Sequence, residues 1–258
     1  MALPILIIDS GHGGKDGGGG SNSYFKEKDM NLKISLYQFN RFKKLGVPVS
    51  LTREDDIYLS PVNRTELVRN SGAKYCISNH INAATPQARG AETIHSIFTD
   101  GKLAKILYQA IVDEGMSGRR VFSKESEIYK GRDYYYMHRD TGAVNTIIVE
   151  YGFATNAEDS RLLRSNWENY AEAVVKAFCT FINHKYVPPV INTPPKEEKF
   201  PLIKNHAQVK LEDQTISAYI TDEGRTVAEV RSLAALMNLE IEWDASAKTV
   251  ILKRRVES

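Results

Sequence analysis

Cysteine is scarce in this chain of 258 residues, which contains only Cys76 and Cys179. Two cysteines exclude a framework of several disulfides and a zinc site built from a cysteine cluster. Because both cysteines lie in apolar runs, we expect two buried thiols. Long apolar runs are also absent, since none approaches the roughly 20 residues that span a membrane. The sequence therefore predicts no membrane insertion.

An excess of one sign of charge is absent as well. The chain has 34 lysines and arginines against 32 aspartates and glutamates, which gives a formal net charge of +2. A nucleic-acid-binding protein is expected to present a strongly basic face, so this balance predicts no nucleic-acid partner. The apolar fraction of 42% is sufficient for a core and excludes a wholly disordered chain.

A proline-rich segment divides the chain. Residues 187–199 contain four prolines and show no helical period, which predicts a semi-rigid linker. We therefore expect a larger domain at residues 1–186 and a small one at residues 200–258.

Short apolar runs alternate with amphipathic segments in residues 1–186. The apolar runs predict strands at Leu3–Ile8, Val47–Leu51, Lys74–Asn79, Ala91–Phe98 and Thr146–Glu150. Helices are predicted at Asp29–Leu45, from Ser60-Pro61 to Gly72, at Lys102–Met116 and at Asn166–Tyr186. Strands separated by helices indicate an α/β fold, a mostly parallel twisted sheet with helices on both faces.

Residues 200–258 follow a different pattern. Alternating apolar residues predict strands at His206–Leu211 and Ile216–Ile220, and a hairpin of Glu240–Trp243 with Thr249–Leu252. A helical period covers Thr226–Met237. We expect a small α+β domain.

Polar residues that could take part in metal binding or catalysis follow the strands of the larger domain. His12 and His80 come after two strands, Glu150 ends a third, and Glu27 lies at the start of the first helix. In an open α/β sheet, ligands bind beyond the carboxyl ends of the strands, so these four side chains are expected on one rim. Two imidazoles and a carboxylate suit a catalytic zinc ion, and a second carboxylate can carry a proton.

Other interpretations of these residues stay open on position alone. A histidine after a strand is often only a hydrogen-bonded loop residue. The glycine-rich turn around His12 could cradle a phosphate, but it lacks the spacing of a nucleotide-binding fingerprint. The glycines also let the backbone approach a metal and a substrate closely. Arg53 and Arg64 are expected to anchor loops by hydrogen bonds.

Several segments together resemble the zinc-dependent N-acetylmuramoyl-L-alanine amidases of the amidase-3 class. In chain order these are Asp9–Asp16, Glu27–Leu32, Leu51–Arg53 with Asp56, Ser78–Ala83, and Glu150–Phe153 with Asn156. The resemblance implies that His12, Glu27 and His80 bind Zn²⁺ and that Glu150 is the catalytic carboxylate. It also implies bacterial peptidoglycan as the partner, cleaved at the amide between the lactyl group of muramic acid and L-alanine of the stem peptide.

The N-terminal residues bear on where such an enzyme would act. Residues 1–9 lack the basic region and the small-residue cleavage site of a signal peptide. This pattern favours a phage endolysin, which is made in the host cytoplasm and reaches the cell wall after the membrane is breached. A bacterial enzyme released by lysis of the mother cell is the alternative.

The C-terminal segment carries a weaker resemblance. Gly224–Val227, Arg231–Ala234 and Glu242–Asp244 resemble the small domain at the N-terminus of copper amine oxidases, without a cluster of copper ligands. Beside an amidase, such a domain is expected to hold the enzyme on the wall, and a stabilising or dimerising appendage is the alternative. For the whole protein, the rival functions are a zinc peptidase acting within the stem peptide and a non-catalytic cell-wall-binding protein.

Overall fold

The computed structural model describes residues 3–189 and, further along, 205–211, 214–220, 226–228, 234, 237, 239–244 and 249–254. The chain divides into two compact units, Met1–Pro189 and Val190–Ser258. Most of the predicted linker at residues 187–199 lies outside the described residues. Each unit is treated separately below.

A six-stranded sheet forms the centre of the first unit. Its strands are β1 (Leu6–Ser10), β2 (Val49–Leu51), β3 (Tyr75–Asn82), β4 (Ala91–Ile94), β5 (Gly118–Phe122) and β6 (Asn145–Phe153). They lie in the order β2-β1-β3-β6-β4-β5. The neighbours from β2 to β6 are parallel, β4 runs antiparallel to β6, and β5 is parallel to β4. The predicted mostly parallel sheet is confirmed.

Helices cover both faces of this sheet, as predicted. They are α1 (Glu27–Leu45), α2 (Pro61–Asn70), α3 (Lys102–Asp113), α4 (Tyr136–Arg139) and α5 (Ala157–Phe181). Residues of α1, α3 and α5 pack on one face in the larger apolar core, which contains Cys179. The smaller core on the other face joins Val68 of α2 and Met137 of α4 to Cys76. Both cysteines are buried and free, which confirms the predicted thiols.

Local signals explain where the helices begin. Ser60 caps α2 by accepting a hydrogen bond from the Asn63 amide, and a proline follows it, as predicted. The prediction was wrong for α5, which begins at Ala157 and not at Asn166, because Asn156 caps it through the amides of Glu158 and Asp159. The first turns of α5 are rich in polar residues, so the apolar period does not reveal them. Strand β5 and the short helix α4 were not predicted.

The second unit contains two small antiparallel sheets. One has the order β7-β8-β9, formed by Asn205–Leu211, Gln214–Ile220 and Thr226–Ala228. The other is the predicted hairpin, β10 (Leu239–Asp244) with β11 (Thr249–Arg254).

The predicted helix at Thr226–Met237 was wrong at its start, where Val227 pairs with Tyr219 of β8. The β-branched residues Thr226 and Val227 favour a strand once a partner strand is available. Further along this segment, Ala234 is helical, and residues 229–233 lie outside the described part of the chain. Among the described helices of both units, none has the length and apolar character needed to cross a bilayer.

A buried ion pair ties α2 to the end of β1. The Asp9 carboxylate accepts hydrogen bonds from Arg64 at 2.6 Å, Thr52 at 2.8 Å and Ser78 at 2.7 Å. Burial disfavours the charge, but Arg64 and Ser78 outweigh it and hold the pKa of Asp9 below its usual range. Arg64 also donates to the carbonyl oxygens of Ser10 and His12, so it anchors the loop that follows β1, as predicted.

Removing this arginine should destabilise the protein strongly. Arg64→Met leaves the Asp9 charge buried without its cation, which typically costs about 3–5 kcal/mol. We expect a loss of that size in the free energy of unfolding, measured by urea denaturation. The control is Arg69→Met, because Arg69 pairs with Glu66 only at the surface and such pairs contribute about 0–1 kcal/mol. Equal losses for the two variants would contradict the role given to Arg64.

Candidate metal centre

Three of the four predicted site residues converge at the carboxyl end of the sheet. His12, Glu27 and His80 each offer a ligand atom, and these atoms all lie within 4.8 Å of one another. Glu27 Oε1 is 3.1 Å from His12 Nε2 and 3.0 Å from His80 Nδ1. The two imidazole rings meet edge to face, with their centroids 5.0 Å apart. Side chains separated by up to 68 positions in sequence therefore share one small volume.

Each of these residues is held by a different element. His80 belongs to β3, Glu27 is the first residue of α1, and His12 lies in the loop after β1. The backbone of His12 has a φ of 61°, a left-handed conformation that is uncommon outside glycine. The Arg64 guanidinium holds the His12 carbonyl in this conformation at 2.8 Å. A side chain on Gly11 would overlap the His80 imidazole, which explains one glycine of the motif.

Glu27 is the most deeply placed of the three, with 2% of its surface exposed. Its Oε2 accepts the Gly20 amide at 2.7 Å, and its Oε1 accepts the Ile81 amide at 3.1 Å. A carboxylate fixed by two backbone amides and two imidazoles has little rotational freedom. Glu27 is therefore preorganised as a ligand.

The surroundings favour the charged forms of both Glu27 and His12. Burial alone would raise the pKa of Glu27, but hydrogen bonds to His12 and His80 hold it far below its usual range. Burial alone would lower the pKa of His12, but Glu27 and Asp16 raise it to about 9. Without a metal, a proton on His12 balances the Glu27 charge. A metal ion would take over that balancing role and displace the proton.

Asp16 contributes to the site although its position in the motif after β1 predicted no role for it. Its Oδ2 contacts His12 Nδ1 at 2.9 Å, which leaves His12 Nε2 directed at Glu27. Histidines that bind a metal through one ring nitrogen commonly donate a hydrogen bond from the other ring N–H to a carboxylate in this way. The only feature of the sequence that could have indicated this contact is the short separation of His12 and Asp16, which are four positions apart.

The fourth predicted residue, Glu150, lies beside the cluster. It belongs to β6 and pairs with His80 across the β3–β6 ladder. The residue is partly exposed, but its Oε2 atom is buried and has no hydrogen-bond partner among the described residues. Burial raises the pKa of Glu150 to about 7, and the nearby charges of Glu27 and Glu92 act in the same direction. Glu150 can therefore exchange a proton near neutral pH.

The arrangement can hold one divalent transition-metal ion. Two imidazole nitrogens and one carboxylate oxygen are ligand types typical of such ions, and a three-residue set leaves a coordination position open. No other group of three or more metal-binding side chains occurs among the residues that the structure describes. The predicted residues and the observed cluster therefore coincide.

The raised pKa of His12 predicts a pH dependence of stability after treatment with a chelator. The ordinary histidine pKa is 6.5 and the folded value is about 9, so this stabilisation is complete below pH 6.5 and lost as pH rises to 9. Between pH 7 and 9 we expect the free energy of unfolding to fall by on the order of 2 kcal/mol. Denaturation curves at several pH values measure it. His12→Gln should flatten the slope, and an unchanged slope would contradict the assignment.

Comparison with known proteins adds an independent finding. The sequence profile of the N-acetylmuramoyl-L-alanine amidase family, Amidase_3, matches residues 6–184. The uncharacterized protein YqiI of Bacillus subtilis is 28% identical over 181 residues, which cover 70% of this chain and 84% of YqiI. The endolysin of Bacillus phage SPP1 is 35% identical over 113 residues, which cover 42% of this chain and 41% of the endolysin.

A solved structure shares the fold. The N-acetylmuramoyl-L-alanine amidase from Clostridium difficile 630 is 28% identical, with a TM-score of 0.62, and the match covers 72% of this chain and all of that one (100%). The region matched by the family profile begins in β1, ends just after α5, and includes all three residues of the candidate metal cluster. This chain belongs to the N-acetylmuramoyl-L-alanine amidase family.

Proposed function

We propose that the protein is a zinc-dependent hydrolase of bacterial peptidoglycan. It cleaves the amide between the lactyl group of N-acetylmuramic acid and the L-alanine of the stem peptide. The observation that carries this proposal is the convergence of His12, Glu27 and His80 beside Glu150, whose Oε2 has no hydrogen-bond partner among the described residues, in a chain of this amidase family. The cluster holds ligands for a metal, and the carboxylate supplies proton transfer.

His12, Glu27 and His80 would hold the zinc ion. This donor set fits zinc, because two histidines and one glutamate are a familiar ligand set of zinc hydrolases. When bound, zinc supplies Lewis acidity toward a carbonyl oxygen and lowers the pKa of water from 15.7 to about 7. Asp16 holds the second nitrogen of His12 and so keeps its ring in orientation.

Glu150 carries the proton in this proposal. Its Oε2 has no hydrogen-bond partner among the described residues, and its pKa of about 7 matches the pH at which hydrolases work. The carboxylate accepts a proton from the water that attacks the lactyl carbonyl carbon. It then donates that proton to the alanine nitrogen as the amide bond breaks. One side chain thus acts first as a base and then as an acid.

The proposal extends to the biological role of the enzyme. We propose that the protein acts as a phage endolysin, and its likeness to the endolysin of Bacillus phage SPP1 supports this role. The chain spans less than half of that endolysin, whereas the match to YqiI covers 84% of a bacterial protein. A bacterial wall amidase is therefore the second candidate. Analysis of the genes that flank the coding sequence distinguishes a lysis cassette from a bacterial operon.

The C-terminal unit is assigned a binding role. We propose that residues 200–258 hold the catalytic unit, residues 1–186, at the wall, with residues 187–199 as the linker. Tethering raises the concentration of an enzyme at an insoluble substrate. The full chain should sediment with purified peptidoglycan, and a chain truncated after residue 189 should sediment less.

Replacing Glu150 should separate chemistry from metal binding. Glu150→Gln keeps the shape of the side chain but removes the proton carrier, so we expect hydrolysis to fall by about 10²–10⁴-fold. Zinc content, measured by atomic absorption, should stay at the wild-type level. In contrast, His80→Ala should lower both zinc content and hydrolysis, and Glu168→Gln on the exposed face of α5 should change neither. A Glu150→Gln enzyme with wild-type turnover would exclude this role.

The position of the cut distinguishes the amidase from its rivals. Digestion of purified peptidoglycan should release stem peptides with a free L-alanine amino group, identified by mass spectrometry. A chelator should stop the release, and added zinc should restore it. Exposure of any other amine would indicate a peptidase acting within the stem peptide. Binding to the wall without any release would indicate a non-catalytic protein.

A further inference from the structure

A row of charged residues crosses four adjacent strands beside the metal centre. His80 on β3 pairs with Glu150 on β6, Glu150 pairs with Glu92 on β4, and Glu92 pairs with Arg120 on β5. Residues paired in this way project from the same face of a sheet. The row therefore runs from a metal-binding residue, through the proton carrier, to an arginine at the edge of the sheet.

A β-bulge brings a second arginine to the end of this row. The register of β4 with β5 shifts so that Ala91 pairs with Gly118 but Glu92 pairs with Arg120, which leaves Arg119 as the extra residue. Consecutive residues of a regular strand point to opposite faces. Here Arg119 Nε and Arg120 Nε both lie 2.8 Å from Glu92 Oε1. Bulges often redirect a side chain next to an active site.

The two guanidinium groups are held in place yet open to solvent. Arg119 lies over the Phe153 ring at 5.2 Å, and Arg120 lies over the Phe122 ring at 4.0 Å. Their side chains are 40% and 54% exposed, whereas that of Glu92 is 3% exposed. Stacking on aromatic rings restricts an arginine without using its outer N–H groups. These donors remain available to a ligand.

The charge balance of the group identifies the ligand. Two guanidinium groups share one buried carboxylate, and the second oxygen of that carboxylate accepts the Asn82 amide at 2.9 Å. The group therefore carries one surplus positive charge at the edge of the active site. Guanidinium pairs with planar anions such as carboxylates through two parallel hydrogen bonds.

We propose that Arg119 and Arg120 form a subsite for a free carboxylate of the stem peptide, on the peptide side of the amide that is cut. This inference rests on the proposed function and specifies its substrate further. The subsite selects peptides that carry an unamidated carboxylate near the L-alanine. Glu92 is a positioning residue that holds the two arginines.

The spacing of the strands indicates which carboxylate fits. Neighbouring strands lie about 4.7–4.9 Å apart, so Glu92 lies about one such step from Glu150. One extended residue spans about 3.3–3.6 Å. A carboxylate one or two residues beyond the alanine nitrogen can therefore reach the arginines while Glu150 serves that nitrogen. The α-carboxyl group of the second stem-peptide residue, a glutamate linked through its side chain, has this position.

Two matched substrates test the subsite. Both are N-acetylmuramoyl dipeptides of L-alanine and D-glutamate whose γ-carboxyl group is blocked as an amide, as it is when the stem peptide continues; one has a free α-carboxylate, and in the other that group is also an amide. We expect wild-type kcat/KM to be about tenfold higher for the acid, with the difference mainly in KM. In the double variant Arg119→Gln with Arg120→Gln, we expect the ratio to fall to about one because only the acid loses affinity.

Matched controls keep the result specific. Arg161→Gln removes another exposed arginine that is paired with a glutamate, and it should preserve the tenfold ratio. Arg120→Lys keeps the positive charge but lacks the planar guanidinium group, so the ratio should lie between one and the wild-type value. If the double variant does not fold, the test uses the single variants Arg119→Gln and Arg120→Gln. Each should lower the wild-type ratio of kcat/KM for acid over amide, and a ratio unchanged in both would overturn the subsite.

The outcomes separate this proposal from the one on which it rests. Equal wild-type hydrolysis of acid and amide would overturn the subsite and leave the amidase function standing. A tenfold ratio that persists in the folded double variant would also overturn it. Hydrolysis of neither substrate by the zinc-loaded wild type would count against the proposed function itself.

Discussion

Buried negative charge at one edge of the sheet is the constraint on which the site depends. Asp9, Glu27 and Glu92 are buried at this edge and Glu150 is partly exposed beside Glu92; burial penalises an unpaired carboxylate by several kcal/mol. Three of them have basic side chains as partners: Arg64 for Asp9, two histidines for Glu27, and two arginines for Glu92. Glu150 has none among the described residues. The exception is the residue to which proton transfer is assigned.

These pairings also define the shape of the glycine-rich loop after β1. Glycine lets that loop approach His80 and Glu27, but it supplies no side-chain contacts of its own. Arg64 supplies them by binding Asp9, Ser10 and His12 together, while Arg53 donates to the carbonyls of Ser10 and Gly11. A ligand on a loop would be imprecise without such support. The stability of the fold and the position of His12 therefore depend on the same guanidinium.

The sequence was most informative where one strand end carries one reactive residue. His12, His80 and Glu150 could be placed on a common rim because parallel strands end at the same edge. The arginine pair could not be foreseen, since β5 is short and lies at the sheet's edge, and its bulge depends on register with β4. Pairing between strands likewise determines the conformation of Thr226–Ala228, which forms a strand with β8 although its sequence has a helical period. Interactions between distant segments leave no local pattern.

Glu27 and Glu150 show how different neighbours give two chemically identical side chains different pKa values. Glu27 faces two imidazoles and two backbone amides, which stabilise its ionised form and suit it to bind a cation. Glu150 has a buried Oε2 atom without a hydrogen-bond partner among the described residues and lies next to Glu92 in the ladder, so its neutral form is accessible near pH 7. Environments that drive two pKa values apart separate a permanent anion from a proton carrier. The strand pairing that places Glu150 between His80 and Glu92 thus matters for the proposed chemistry, because it sets both the distance from Glu150 to the candidate metal centre and the charge that faces the carboxylate.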